Sequence, residues 1–370
     1  MKYSFHANNR CVGVDKVKEK MILSDKQPLL TIIVPVYNVE KYIEECLDSL
    51  TNQDASIDSY EIICIDDGSP DNCGSILDEY EKNNPNMTVI HQRNTGQAGA
   101  RNAGLKIASG QYIWFVDSDD FIPQYAVKLI VKEITEHPAD VFWIGMYRFA
   151  GNTIKYNDQD IDKFDANLKL RSCYSVKSIK RKDFLAKNDI LFFDENVPNL
   201  AEDYLLHFKV AKCHPIEKVV TEKPLYFYRY VSSSTSNTLS QESIRQRVDV
   251  WKYVLEVQKS YFSEESKKDR IETALEMQDA VKGIFHWLSL LENERSYCFS
   301  GSFAKEYLPY LYNITPVCLY INLRAFFFRR IINSYRRRNR LLFRLYTYVS
   351  ESDIIKKSKK RIKSVLRKIR

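Results

Sequence analysis

From Leu29 onward the chain alternates between unbroken apolar runs and apolar stripes at helical spacing. LLTIIVPV (29–36) is continuous and rich in β-branched residues, the pattern of a strand covered on both faces. Between Val39 and Gln53, the residues Ile43, Cys46, Leu47 and Leu50 stand at i, i+3, i+4 and i+7, which predicts an amphipathic helix. YEIICID (60–66) predicts a second strand. Ser69 and Pro70 then offer an N-cap and a first-turn proline to a helix striped by Cys73, Ile76, Leu77 and Tyr80. The unit repeats with a strand MTVIH (87–91), a helix Gln97 to Ser109 stopped by Gly110, a strand QYIWFV (111–116) and a helix opened by Pro123. Four strands alternating with helices over about 90 residues predict an α/β fold with a doubly wound, mostly parallel sheet and right-handed crossovers. Ligands of such sheets bind at the carboxyl ends of the strands.

The polar residues cluster at those ends. Pro35 to Asn38 leave the first strand, Asp66 to Ser69 the second and Asp117 to Asp120 the fourth. Asp117 and Asp119, two positions apart in VDSDD, repel each other unless a hard divalent cation such as Mn²⁺ or Mg²⁺ neutralises them. A cation placed there would clamp a diphosphate and stabilise it as a leaving group. A lone DxD also reads as an acidic turn before a helix. Gly96, Gly99, Gly104 and Gly110 mark close backbone approach, either to phosphate or between packed elements. Their spacing fits neither a P-loop nor a dinucleotide fingerprint.

Three ordered motifs decide between these readings. TIIVPVYNVEKYIEECLDSL (31–50), EIICIDDGSPD (61–71) and NTGQAGARNAGLKIASGQYIWFVDSDD (94–120) together resemble the inverting glycosyltransferases of family 2, which have the GT-A fold; the similarity runs from about Thr31 to Arg229. The resemblance implies that Pro35, Tyr37 and Glu40 belong to a nucleotide pocket, that Asp67 accepts from the uracil N3–H, and that Arg101 approaches the nucleotide's polar edge. It makes Asp117 a ligand of the nucleotide-sugar and, with Asp119, of the metal. An ED pair at the start of a helix about 80 residues beyond the DxD motif, here Glu202 and Asp203, supplies the base in the family, and Asp203 is expected in that role. Arg229 in YFYRYVSSSTSNT (226–238) and His207 are weaker candidates, a surface loop and a structural histidine explaining them equally well.

Gln241 to Phe262 and Asp269 to Leu291 read as two long helices, with Trp251, Val254, Leu255 and Gln258 on one face of the first. This organises the chain as an N-terminal extension (1–28), a GT-A catalytic domain (29–240), a helical acceptor-side region (241–300) and a tail (301–370). Charge sharpens the last boundary. The whole chain of 370 residues carries +7, yet residues 301–370 hold 18 lysines and arginines against 3 carboxylates, leaving an acidic body. Ile354, Ile355, Ile362, Val365, Leu366 and Ile369 form one stripe among these bases, the pattern of a helix lying on an anionic membrane surface. No run reaches the roughly 18 apolar residues of a membrane span, since Asn322 and Arg324 interrupt the best one. The eight cysteines form no CxxC pair and read as core thiols in a reducing compartment, and no secretory signal is visible.

The expectation is a metal-dependent inverting glycosyltransferase that uses a nucleotide-sugar, with UDP-sugar favoured, and a saccharide or lipid-linked saccharide acceptor in bacterial surface polysaccharide synthesis. It would be cytoplasmic and peripheral on the inner face of the cell membrane, with no nucleic-acid partner; a homo-oligomer is left open. The rival readings are a related nucleotide-sugar enzyme such as a nucleotidyltransferase, or a silent membrane- or nucleic-acid-binding protein.

Overall fold

Leu30–Val36 (β1) is an interior strand of a seven-stranded mixed sheet, and all seven of its residues are buried. The computed structural model describes residues 27–150, 175–193, 202–230 and 240–264. The elements that follow are α1 (Glu40–Thr51), β2 (Tyr60–Asp66), α2 (Cys73–Asn83), β3 (Met87–His91), α3 (Gly96–Ile107), β4 (Tyr112–Phe115), α4 (Ala126–Glu136) and β5 (Val141–Ala150). After a short 3₁₀ turn at Ser175–Lys177 come β6 (Ser178–Arg181), α5 (Lys182–Lys187), α6 (Glu202–Lys212), β7 (Glu217–Tyr230) and α7 (Gln241–Glu264). The strand order is β3-β2-β1-β4-β6-β5-β7.

Parallel pairs join β1 to β2 and β4, β2 to β3, and β5 to β7, while β6 runs antiparallel to both β4 and β5. Only β6 is reversed, so its N-terminal end meets the carboxyl ends of the other six strands. The order also reverses direction on either side of β1, which opens the crevice that doubly wound sheets use for ligands.

Both faces of the sheet are covered. On one, Ile32, Val34 and Val36 pack with Ile43, Cys46, Leu47 and Leu50 of α1 and Val127, Ile130 and Ile134 of α4. On the other, Ile33, Ile63 and Ile65 pack with Ala100 and Leu105 of α3 and Leu206 and Val210 of α6. Each such aliphatic side chain contributes about 1.5–3 kcal/mol by its burial. A methyl group on Gly104 would stand 2.6 Å from Ile33 Cγ2, so this glycine lets α3 lie close on β1 and serves packing. Cys46, Cys64 and Cys73 are buried and free.

Three helix boundaries differ from the sequence pattern. α2 begins at Cys73, not at Ser69 and Pro70, because the Ser69 N–H is bound by Asp66 Oδ1 and Asp71 bonds the Glu40 and Cys73 N–H groups. α4 begins at Ala126, three residues after Pro123, whose carbonyl accepts from Gln53 Nε2. α3 ends at Ile107, since Glu61 Oε1 draws in the N–H and hydroxyl of Ser109.

The chain divides into two units, 1–234 and 235–370. The described part of the second is α7, in which Ile244, Val248, Val254, Leu255 and Gln258 are buried. Trp251 is partly exposed, and the other three residues of its expected face are buried. Among the described residues, no helix is long and apolar enough to cross a membrane. Residues 1–26, the second long helix expected at Asp269 to Leu291, and the basic tail lie outside the described residues.

Candidate active site

The loop after β2 is fixed by its own carboxylates. Asp67 is buried; its Oδ1 accepts from Gln92 Nε2 (2.7 Å) and from the Thr95 N–H (2.8 Å) and hydroxyl (3.2 Å), and its Oδ2 accepts from the Gly96 N–H (2.9 Å). It thereby caps the N-terminus of α3, where amide groups are otherwise unpaired. Gly68 has φ +73, and a Cβ there would meet Asn94 N at 3.0 Å and Gln92 O at 3.2 Å, so the turn admits only glycine without strain. Asp66 binds His91 Nδ1 at 2.9 Å, and Asp78 binds His91 Nε2 at 3.0 Å. Burial lowers the proton affinity of His91, but these two carboxylates outweigh it and raise the imidazole above its ordinary pKa.

The loop after β1 faces this turn. Pro35 is buried within β1, Tyr37 is 49% exposed, and Asn38 has φ +55. The Asp67 N–H donates to Val36 O at 2.9 Å. Glu40 accepts from the Asn72 side chain (2.7 Å) and N–H (3.2 Å), while its own N–H donates to Asp71. Pro35, Tyr37, Glu40 and Asp67 therefore share one edge, with Glu40 bracing the two loops together.

Asp117 to Asp120 follow β4 at the same edge. Asp120 is buried, accepting from the Tyr226 hydroxyl at 2.6 Å and from the Arg229 N–H at 2.7 Å. Tyr226 also receives the Asp117 N–H at 3.1 Å. Arg229 lies over the rings of Tyr42, Phe121 and Phe149, pairs with Glu45 and donates through Nε to the Asp119 carbonyl at 2.9 Å. β7 thus holds the acidic turn in place. Burial first, then the neighbouring Asp117, pushes the Asp119 carboxyl up to about 6. Burial and the charges of Asp119 and Asp117 raise Asp120 further. Negative charge here exceeds what the local arginines balance, the situation a divalent cation relieves.

Arg101 joins this turn to Asp203. It is 1% exposed, lies between Phe115 and Phe193, and donates from Nη2 to Asp117 Oδ1 (3.1 Å) and from Nη1 to Asp203 Oδ1 (2.7 Å), with Glu202 Oε1 at 3.8 Å. Burial opposes its charge, but Asp203, Asp117 and Glu202 outweigh burial and keep it cationic. Asp203, in the first turn of α6, also accepts from the Ser175 hydroxyl (2.6 Å) and N–H (3.1 Å). Burial would raise its pKa; Arg101 and Ser175 prevail and hold it below the ordinary carboxylate value. Asp117, also bonded by Gln97, is raised by burial despite Arg101.

The sequence pattern did not single out Ser175, Tyr226, Gln97 or Asp120, and it left Arg229 open between the site and a surface loop; Arg229 lies in β7. Ser175 and Tyr226 carry no local signal, since the first reaches the site from the 3₁₀ turn before β6 and the second from β7, both distant in sequence from the acidic turn. A buried aspartate beside a DxD pair was the one available hint, for Asp120. His207 packs against Trp143, with ring centroids 5.3 Å apart.

Residues 31–195, which span the first two loops, Arg101 and the acidic turn, match the model of glycosyl transferase family 2. That stretch, somewhat under half of the chain, is similar to this family. Among relatives, the uncharacterized glycosyltransferase EpsJ of Bacillus subtilis (strain 168) is 33% identical over 216 residues, 55% of this chain and 61% of EpsJ. The poly(ribitol-phosphate) beta-N-acetylglucosaminyltransferase TarS of Staphylococcus aureus (strain MW2) is 32% identical over 201 residues, 53% of this chain and 35% of TarS. The match thus spans less than two thirds of either relative. Among solved structures, S. aureus TarS 1–349 in complex with UDP-GlcNAc superposes with a TM-score of 0.54 over 86% of this chain and 90% of that one, at 23% identity, a likeness of fold.

Proposed function

We propose that this chain is an inverting glycosyltransferase that transfers a sugar from a UDP-sugar to a hydroxyl of a saccharide or lipid-linked saccharide in bacterial surface polysaccharide synthesis. The observation that carries the reading is Asp203, held ionised by Arg101 at the strand edge where the acidic turn lies. In this role Asp203 takes the proton of the acceptor hydroxyl as its oxygen attacks the anomeric carbon from the side opposite the diphosphate. Its low proton affinity keeps it charged at neutral pH and ties proton transfer to the forming C–O bond.

The exposed ring of Tyr37 is available to stack on a base, and among the described residues Asp67 Oδ2 accepts from the Gly96 N–H, leaving a lone pair for an imide N–H such as that of uracil. TarS, whose crystal structure holds UDP-GlcNAc, shares the fold and supports a uridine donor. Asp119, with Asp117, would hold Mn²⁺ or Mg²⁺, and the bound cation would supply charge stabilisation to the departing diphosphate. Among the described residues no group of three His, Cys, Asp or Glu side chains is placed to hold a metal ion, so these two aspartates are the protein ligands proposed. Arg101 serves as the link between base and acidic turn. The region 241–300 is assigned to the acceptor, and the basic tail to the inner membrane surface.

Calorimetric titration with UDP-, GDP- and dTDP-sugars, with and without Mn²⁺, tests the donor assignment on wild type and Asp119→Ala. Mn²⁺-dependent binding of a UDP-sugar, lost in the variant, is expected. Equal affinity in the variant contradicts the metal assignment.

A further inference from the structure

Because β6 is the reversed strand, the 3₁₀ turn that leads into it arrives beside Asp203. Three polar residues there are buried: Ser175 and Ser178 are 0% exposed and Lys180 is 1% exposed. Lys180 Nζ donates to Ser178 Oγ at 2.6 Å, and Ser178 Oγ donates to the Ser175 carbonyl at 3.4 Å. Ser175 in turn donates its hydroxyl to Asp203 Oδ1 and its N–H to Asp203 Oδ2. Lys180 stands opposite Ile113 of β4 and Val141 of β5, whose side chains pack with Ala100 and Leu105 of α3 and Leu206 and Val210 of α6. Its side chain therefore lies on the face that carries Arg101 and Asp203. A methionine would fill this space without the cost of desolvating an amine. Burial pulls the Lys180 ammonium down to about 7, with Asp203 opposing and Arg101 assisting. Those two are the charged groups that face it from α6 and α3, while β4 and β5 contribute aliphatic neighbours.

We propose that Lys180 is a positioning residue for Asp203: through Ser178 it fixes the backbone at Ser175, whose hydroxyl and N–H hold the two oxygens of the carboxylate. The proposal rests on Asp203 being the base. The chemistry assigned to Lys180 is the donation of hydrogen bonds, with no proton passed along the chain, because the Ser175 carbonyl interrupts any continuous path.

The test compares wild type, Lys180→Met, Ser178→Ala and the double variant, each checked for folding by circular dichroism. Protein labelled with ¹³C at the aspartate carboxyls is titrated by NMR, and Asp203→Asn identifies the Asp203 signal. Each single variant is expected to raise the Asp203 midpoint by about half a pH unit, and the double variant to raise it no further than Lys180→Met. In UDP release from the donor found by calorimetry, the same variants should lower kcat roughly tenfold, the scale of one lost hydrogen bond, with donor KM unchanged. Unchanged midpoints in both single variants would overturn the proposal, as would additive shifts, which would mean that Lys180 acts by charge and not through Ser178. If Asp203→Asn keeps its turnover, the base assignment fails whatever the titration shows; if it loses turnover while the other variants behave as wild type, only the role of Lys180 fails.

Discussion

Arg101 donates to Asp203 across 2.7 Å, although 102 positions separate them in the chain. The other prong of the same guanidinium holds Asp117. A planar fork buried between Phe115 and Phe193 thus fixes the distance between the proposed base and the acidic turn. Lysine has a single donor centre and cannot reproduce this. Arg101→Lys is expected to reduce transfer, read as UDP release, by at least about tenfold. Arg101→Met leaves the part-buried carboxylates of Asp117 and Asp203 without their cation, so it should destabilise the fold by about 1.5–3 kcal/mol in urea unfolding.

Tyr226 contributes one hydroxyl to two partners, the Asp117 N–H and the Asp120 carboxylate. Tyr226→Phe keeps the ring and removes both bonds. A stability loss of about 1–3 kcal/mol is expected, together with weaker Mn²⁺-dependent donor binding measured by calorimetry. A variant with unchanged donor affinity would show that the acidic turn holds its shape without β7.

His91 links Asp66 at the DDGS turn to Asp78 on α2. Burial acts against its charge, but the carboxylates prevail and raise its folded pKa above 6.5. The stabilisation is therefore full below pH 6.5 and disappears as pH rises through the folded value. Thermal melts from roughly pH 6 to pH 8 should show a decline in wild-type stability that His91→Gln lacks. The amplitude should be modest, because the imidazole is 46% exposed and solvent screens it.

Much of the fold was written in local patterns. The apolar run at 29–36 and the stripe Ile43, Cys46, Leu47, Leu50 became β1 and the buried face of α1 because burial on two faces and on one face leave different periodicities. The acidic turn was also legible, since a DxD after a buried strand is a contiguous motif. The reversal of β6 was not, as its four residues SIKR hold no alternation long enough to give direction. Lys180 went unread for the same reason, and Ser175 sits in the short 3₁₀ turn before that strand, which has no periodicity of its own. Arg101 was expected at the nucleotide's edge, and its actual bonds, to Asp117 and Asp203, depend on how α3 and α6 share one face of the sheet. Helix starts were misplaced at Ser69 and Pro123 because the capping groups there bond other loops instead.

The central claim is that Asp203 is the base, and the separation of binding from transfer tests it most directly. Asp203→Asn keeps the shape of the side chain and removes its ability to accept a proton. Calorimetry with the UDP-sugar that binds wild type is expected to give an affinity within about twofold of wild type, while UDP release falls by about 10²–10⁴. Turnover close to wild type in this variant would contradict the account.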